Sequence, residues 1–176
     1  MYKKIYNSLL GTIYMSSDGN YLTGLWFENS KDANKHQYKF KENDLPIFDK
    51  TVEWLDIYFS GQEPDFIPEY KIENLTPFRK QVIDIMNKIP YGKTITYNDI
   101  AKEIAKSKGI EKMSAQAVGG AVGWNPICII IPCHRVVGTN GSLTGYGGGI
   151  KNKIKLLEIE KNDMSKFTVP TKGTAL

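Results

Sequence analysis

Apolar positions in the first sixty residues follow two periods. Lys4-Ile5-Tyr6, Thr12-Ile13-Tyr14-Met15 and Tyr21 to Phe27 are rich in β-branched and aromatic residues, the composition of short strands. Asp18-Gly19-Asn20 between the second and third runs predicts a hairpin turn. Residues 29–45 are polar and lysine-rich and read as an exposed loop. From Pro46 the period changes: Val52, Leu55, Tyr58 and Phe59 recur at helical spacing until Ser60-Gly61 stops the helix.

Gly61 to Asn74, with Pro64 and Pro68, reads as a linker. A second series opens at Thr76-Pro77, an N-cap followed by proline at the first helical position. Its apolar stripe is Val82, Ile83, Ile85, Met86 and Ile89, ended by Pro90-Tyr91-Gly92. Thr96 can cap a helix through Ala105. A turn with Lys106, Lys108, Gly109 and Lys112 follows, and Ser114 can cap a second helix through Gly123, a helix-turn-helix pattern. The side chains of that second helix are tiny apart from Gln116 and the valines. Glycines inside a helix each cost on the order of 0.5–1 kcal/mol, so they imply close approach of another surface, either a core helix or a nucleic-acid groove. Ile127 to Ile131 then reads as a buried strand ended by Pro132, Gly145 to Gly149 as a flexible loop, and Ile150 to Glu160 as a closing helix with Ile154, Leu157 and Ile159 inward. The tail from Asn162 to Leu176 is expected to be poorly ordered.

The expected fold is therefore mixed α/β (α+β): a small sheet-plus-helix domain over residues 1–74, a mainly helical domain with a helix-turn-helix over 75–161, and a tail over 162–176. No apolar run approaches the roughly 20 residues that span a bilayer, and the start lacks a signal-peptide core. A cytoplasmic protein is expected.

Charge sharpens this picture. Residues 1–74 carry 8 Lys/Arg against 12 Asp/Glu, a net of −4; residues 75–176 carry 15 against 7, a net of +8. A basic C-terminal half suits a polyanionic partner, although a well-solvated lysine-rich surface would look the same. Two cysteines, Cys128 and Cys133, and two histidines, His36 and His134, make a structural zinc site improbable and leave one potentially reactive thiol.

Pro132-Cys133-His134-Arg135 is the densest cluster of reactive groups. A thiol of pKa about 8.5 is only a few per cent thiolate at neutral pH, and a nearby imidazole and positive charge raise that fraction. On an extended chain His134 would point away from Cys133, so a bridging water or a bend at Pro132 has to connect them. A carboxylate that orients His134 would complete a relay; Glu160 and Glu158 are both candidates. By itself a Cys-His dipeptide is usually a buried cysteine beside a satisfied histidine. Gly145-Tyr146-Gly147-Gly148-Gly149 lacks the Lys-Ser/Thr of a P-loop and fits a lid or pocket wall better.

Ile131-Pro132-Cys133-His134-Arg135-Val136-Val137 resembles the active-site signature of the O6-alkylguanine-DNA alkyltransferases, the methylated-DNA–protein-cysteine methyltransferases. Thr76-Pro77-Phe78, Ile89-Pro90-Tyr91-Gly92, Thr96-Tyr97, Ala117 to Ala121, Asn125-Pro126, Gly145-Tyr146 and Leu156 to Glu160 follow in the family's order. The resemblance covers about residues 75–160; the N-terminal half is similar to the family's ribonuclease-H-like domain only in its coarse pattern.

The resemblance implies direct repair of double-stranded DNA. Cys133 takes the alkyl group from O6-alkylguanine in a single turnover, with O4-alkylthymine a further candidate substrate. His134 activates Cys133 through water, Glu160 orients His134, and Asn125 supports the turn before the active-site segment. Tyr97 contacts the flipped nucleotide, the carbonyls of Cys133 and Val136 read the guanine amino group, and Tyr146 with the amide of Gly147 sits at O6. Arg135 is expected among the DNA contacts. The small helix, with Ala117 and Gly120, lies in the minor groove, which is only about 6 Å wide, and the base leaves the stack. No cofactor and no metal are implied, and a monomer is expected. Gln116 stands where many members carry an arginine that fills the gap left by the flipped base. Weaker DNA binding or slower flipping should follow.

Two other classes compete. A non-enzymatic helix-turn-helix lesion sensor would keep Cys133 as a structural residue. A Cys-His hydrolase would turn over on acyl substrates and need no basic DNA-binding surface.

Overall fold

Residues 1–171 of the computed structural model are described. The chain divides into two units: Met1–Asn74 with Pro126–Ile130, and Leu75–Asn125 with the chain from Ile131 onward.

In the first unit β1 (Tyr2–Ser8), β2 (Gly11–Ser17), β3 (Leu22–Phe27) and β4 (Lys41–Glu42) form one sheet in the order β3-β2-β1-β4. β1–β2 and β2–β3 are antiparallel and β1–β4 is parallel. The Asp18 carboxylate closes the β2–β3 turn by accepting from the amides of Asn20 and Tyr21 at 3.0 and 2.9 Å. Helix α1 (Pro46–Phe59) buries Phe48, Thr51, Leu55 and Tyr58, one stripe at three- and four-residue spacing. The polar stretch 29–45 departs from the expected exposed loop. It contains a 3-10 turn, Lys31–Lys35, and β4, and it buries Asp32 and His36.

The strand expected at Ile127 to Ile131 does not form. Ile127 alone bridges Leu25, through Pro126 O to Leu25 N at 3.0 Å and Cys128 N to Leu25 O at 2.9 Å. Ile129 then takes a left-handed φ of 67°, and the Ile130 amide turns back onto the Cys128 carbonyl at 2.8 Å. A β-branched residue in that region is a strained reversal, and it ends the ladder after one residue.

The second unit holds α2 (Pro77–Met86), β5 (Ile95–Thr96), α3 (Tyr97–Lys108), α4 (Ala115–Gly123), β6 (Val136–Val137) and α5 (Ile150–Ile159). Each of the three N-caps read from sequence is made by its side chain. Thr76 accepts from Arg79 N and Ser114 from Ala117 N, and Thr96 with Asp99 forms a full capping box. Val82 and Met86 of α2, Ile100 and Ile104 of α3, and Val118 and Val122 of α4 are buried. α3 and α4 pack together as the helix-turn-helix, with Lys106 and Lys108 inside the last turn of α3. The parallel pair β5–β6, Ile95 with Val136 and Thr96 with Val137, had no counterpart in the sequence reading.

The tail is also more ordered than expected, up to residue 171. The Leu143 amide donates to Thr168 O at 2.8 Å and the Thr168 amide to Gly141 O at 3.0 Å, while Met164 and Phe167 pack on Val137, Leu143 and Leu157. Gly141 makes this possible: a Cβ there would collide with the Lys166 carbonyl. Residues 172–176 of the expected disordered tail lie outside the described residues. Among the described residues no helix is long and apolar enough to cross a membrane.

Candidate active site

Pro132 turns the chain and Cys133–Arg135 forms one turn of 3-10 helix, in place of the extended chain expected there. The turn is closed by Cys133 N to Ile131 O at 2.8 Å and Arg135 N to Pro132 O at 3.0 Å. It turns three adjacent reactive side chains into a buried region of the second unit. Cys133 is 7% exposed and His134 fully buried.

The sulfur receives a hydrogen bond. Asn125 Nδ2, just past the end of α4, donates to Cys133 Sγ at 3.1 Å and to Ile131 O at 2.9 Å. An amide donor aimed at sulfur favours thiolate over thiol. Lys153 adds a buried positive charge. Its Nζ donates to Val136 O at 2.7 Å and Thr144 O at 3.0 Å. Burial pushes its pKa down to about 8, and the Cys133 charge opposes that fall. The Tyr97 hydroxyl donates to the same Thr144 carbonyl at 3.1 Å. Burial first, and the Cys133 charge second, push its pKa up to about 12.

On the other side of the turn, His134 Nε2 meets Glu160 Oε1 at 2.6 Å. This selects between the two candidate carboxylates, because Glu158 pairs with the exposed Lys155. Arg135 occupies the rest of the Glu160 carboxylate: its Nε lies 3.1 and 2.9 Å from the two oxygens and its NH2 lies 3.0 Å from Oε1. Arg135 NH1 donates to Ile89 O at 2.7 Å, and the amide of Gly92 donates to Glu160 Oε2 at 3.2 Å. Burial opposes ionisation of Glu160, but the hydrogen bonds from His134 and Arg135, with the Arg135 charge, hold the carboxyl below the usual carboxylate range. For His134, burial is the largest influence and lowers the pKa despite the Glu160 charge. The imidazole rests neutral.

The remaining expected residues divide. Gln116, Ala117 and Gly120 are exposed along α4, and a Cβ at Gly120 would meet nothing within 4 Å. A core helix is thus not the reason for that glycine. The Arg135 side chain, 12% exposed, turns its guanidinium onto Glu160, where a buried carboxylate demands a cation. The carbonyls of Cys133 and Val136 already accept from Val136 N and Lys153 Nζ respectively, so each keeps one lone pair for a further donor. Tyr146 is buried in the 145–149 run. Gly149 N to Tyr146 O at 3.0 Å and Asn152 Nδ2 to Gly148 O at 2.9 Å anchor that run, which was expected to be flexible. Gly147, inside it, is half-buried. Lys153 was missed. Its signal was the spacing Lys153, Leu156, Leu157, Glu160, the buried stripe of α5 and its C-cap; Ile154 and Ile159 flank that stripe.

Comparison with known proteins gives the same reading for both units. Residues 77–162 match the family model for the DNA-binding domain of 6-O-methylguanine DNA methyltransferase, and residues 1–69 match the model for its ribonuclease-like domain. A methylated-DNA–protein-cysteine methyltransferase of Haemophilus influenzae is 39% identical over 92% of this chain and 87% of its own length. One from Methanosarcina acetivorans is 38% identical over 91% and 98%. The crystal structure of Mycobacterium tuberculosis OGT in complex with DNA superposes with a TM-score of 0.77 at 36% identity, over 95% of each chain. An O6-methylguanine DNA methyltransferase from Methanococcus jannaschii gives 0.63 at 33% identity, over 97% and 99%. With both family models matched in order and relatives aligned along nearly the whole chain, this protein belongs to the 6-O-methylguanine DNA methyltransferase family.

Proposed function

We propose that this chain repairs double-stranded DNA by moving the alkyl group of O6-alkylguanine onto Cys133, once per molecule. The observation that carries this is the sulfur of Cys133, nine-tenths buried and hydrogen-bonded by Asn125, one residue from a histidine tied to a buried carboxylate. A nucleophile so held suits one in-line displacement by sulfur.

The thiol proton passes through a bridging water to neutral His134, whose imidazolium is then stabilised by Glu160. Sulfur attacks the alkyl carbon, the S–C bond forms as the C–O6 bond breaks, and guanine leaves. The displaced guanine takes up one proton, helped at O6 by Tyr146 and the Gly147 amide, so that alkylguanine and thiol become guanine and thioether. A thioether has no hydrolytic exit under cellular conditions, which makes the reaction suicidal.

Residues 75–161 form the DNA-binding and active-site domain and 1–74 the ribonuclease-H-like domain, with 162–176 a tail. Ala117, Gly120 and Gln116 enter the minor groove, where small side chains fit its narrow width. Tyr97 contacts the flipped nucleotide. The carbonyls of Cys133 and Val136 use their remaining lone pairs on the guanine amino group. The protein acts as a monomer, and in the cytoplasm, where Cys133 and Cys128 stay reduced.

Intact-protein mass after incubation with excess DNA containing O6-methylguanine tests this. A single gain of one methylene mass, mapped to Cys133 and absent in Cys133→Ala, is the expected result. Tight binding of lesion DNA with no mass gain would replace this reading with a lesion sensor.

A further inference from the structure

Arg135 lies in the signature, and its guanidinium is turned inward onto Glu160 and Ile89 O. Glu160 is buried with no exposed side-chain surface, so its negative charge needs a cation beside it. Two groups can supply one, an imidazolium at His134 or the guanidinium at Arg135. Only arginine is charged at every relevant pH. Its Nε and NH2 take both carboxylate oxygens, NH1 is tethered to Ile89 O, and the guanidinium carbon lies 5.7 Å from the centre of the Tyr91 ring.

We propose that Arg135 is a positioning residue for alkyl transfer: by balancing the charge of Glu160 it leaves His134 a neutral imidazole, able to accept the Cys133 proton. The inference rests on the alkyl-transfer reading above.

The charge arithmetic decides the point. With Arg135 present, a neutral His134 gives the buried trio Arg135, Glu160 and His134 a net charge of zero, and an imidazolium gives +1. With Arg135 replaced by a neutral side chain, neutral His134 leaves −1 in the interior and imidazolium gives zero. Uncompensated charge in a buried site is the costly state, so the resting form of the histidine inverts. A histidine that is already protonated takes no proton from a thiol. The other charges that face His134 act in the same direction as Arg135: Lys153, reaching in from α5, also disfavours imidazolium. Glu160 is the group that favours it, and Arg135 sits on Glu160.

The test compares wild type with Arg135→Met, close in volume but uncharged, and Arg135→Lys, which keeps the charge at shorter reach. Two quantities are followed against pH: the rate of methyl transfer from O6-methylguanine DNA, read by intact mass, and the imidazole titration of His134 by NMR. With only two histidines in the chain, His36→Phe assigns the signals. Arg135→Met should move the rate profile and the His134 titration upward together by about one pH unit or more. Where the displaced titration lies above neutrality, the rate at neutral pH should fall by up to about tenfold for each unit of that excess, and recover at alkaline pH. Arg135→Lys should return both toward wild type. A rate reduced equally at every pH, with the His134 titration unmoved, would overturn the proposal and leave Arg135 a purely structural residue. Should Arg135→Met fail to fold, a wild-type profile in Arg135→Lys with a displaced His134 titration would overturn it as well. If the wild type transfers no methyl group, the alkyl-transfer reading fails; the NMR titration still decides whether Arg135 governs the protonation of His134.

Discussion

Asn125 and Cys133, eight residues apart in sequence, are joined by a 3.1 Å hydrogen bond from the Asn125 side-chain amide to the Cys133 sulfur. The donor favours the charged nucleophile over the thiol. Asn125→Asp keeps the shape but sets an acceptor and a negative charge against the sulfur. We expect the pH midpoint for iodoacetamide labelling of Cys133 to rise by about one unit or more, and methyl transfer at neutral pH to slow at least about tenfold. Asn125→Leu, which removes the donor without adding a negative charge, should have a smaller effect and cost about 1 kcal/mol of stability for the lost bond to Ile131 O. Equal labelling midpoints in the three proteins would dissociate Asn125 from the nucleophile.

Lys153 carries a different signature. Its folded pKa of about 8 lies below the ordinary 10.5, so between these values the unfolded chain holds a proton that the folded chain has released. Stability contributed by this group is full above about 10.5 and is lost as pH falls through 8. Denaturant unfolding of wild type should gain stability from pH 8 to 10 relative to Lys153→Met, in which that gradient disappears. The same variant loses a positive charge near the sulfur, so its methyl transfer at neutral pH should fall on the order of tenfold.

What was legible in the sequence was local. The Thr76, Thr96 and Ser114 caps each bond a backbone amide three residues on, so residue type and spacing are enough to find them. The Cys133-His134-Arg135 cluster was visible as a cluster, but the direction of Arg135 was not. It depends on Glu160 and Ile89, 25 and 46 residues away. The β5–β6 pair and the Leu143–Thr168 bond were hidden for the same reason: two-residue pairings across long separations leave no periodicity. At Ile127 to Ile131 the apolar run signalled burial correctly, yet burial alone did not distinguish a strand from a strained reversal at Ile129.

In the first unit His36 stacks on Trp26 with ring centroids 3.8 Å apart, and Gly24 lies against Cε1 and Nδ1 of the imidazole. A methyl group at Gly24 would overlap both His36 and Ser16, so Gly24→Ala should destabilise the protein by about 2 kcal/mol through overpacking. Burial, with the Lys35 charge second, pushes the His36 pKa to about 4 from 6.5. The unfolded chain therefore takes its proton first as pH falls. The stability this group contributes is complete above about 6.5 and is lost toward 4, roughly 2 kcal/mol between pH 6.5 and 5. Urea unfolding of wild type and His36→Phe at both pH values checks this; an undiminished acid loss in the variant would assign the effect to other groups.

Gln116 is exposed in the first turn of α4, on the face where Gly120 opens onto solvent. On the minor-groove reading this side chain enters the space left by the flipped base. Glutamine can hydrogen-bond there but brings no charge to a duplex whose affinity is largely electrostatic. The site has room for more: the helix carries no acidic residue in its first turn to neutralise an added cation. Gln116→Arg should tighten binding to lesion DNA about 5-fold, near 1 kcal/mol, and steepen its dependence on salt. Transfer from free O6-benzylguanine base, which needs no duplex, should stay unchanged. Fluorescence anisotropy across a salt series, paired with intact mass on both substrates, separates the two effects. An unaltered affinity would mean that position 116 does not meet DNA, and the path of the duplex along α4 would have to be redrawn.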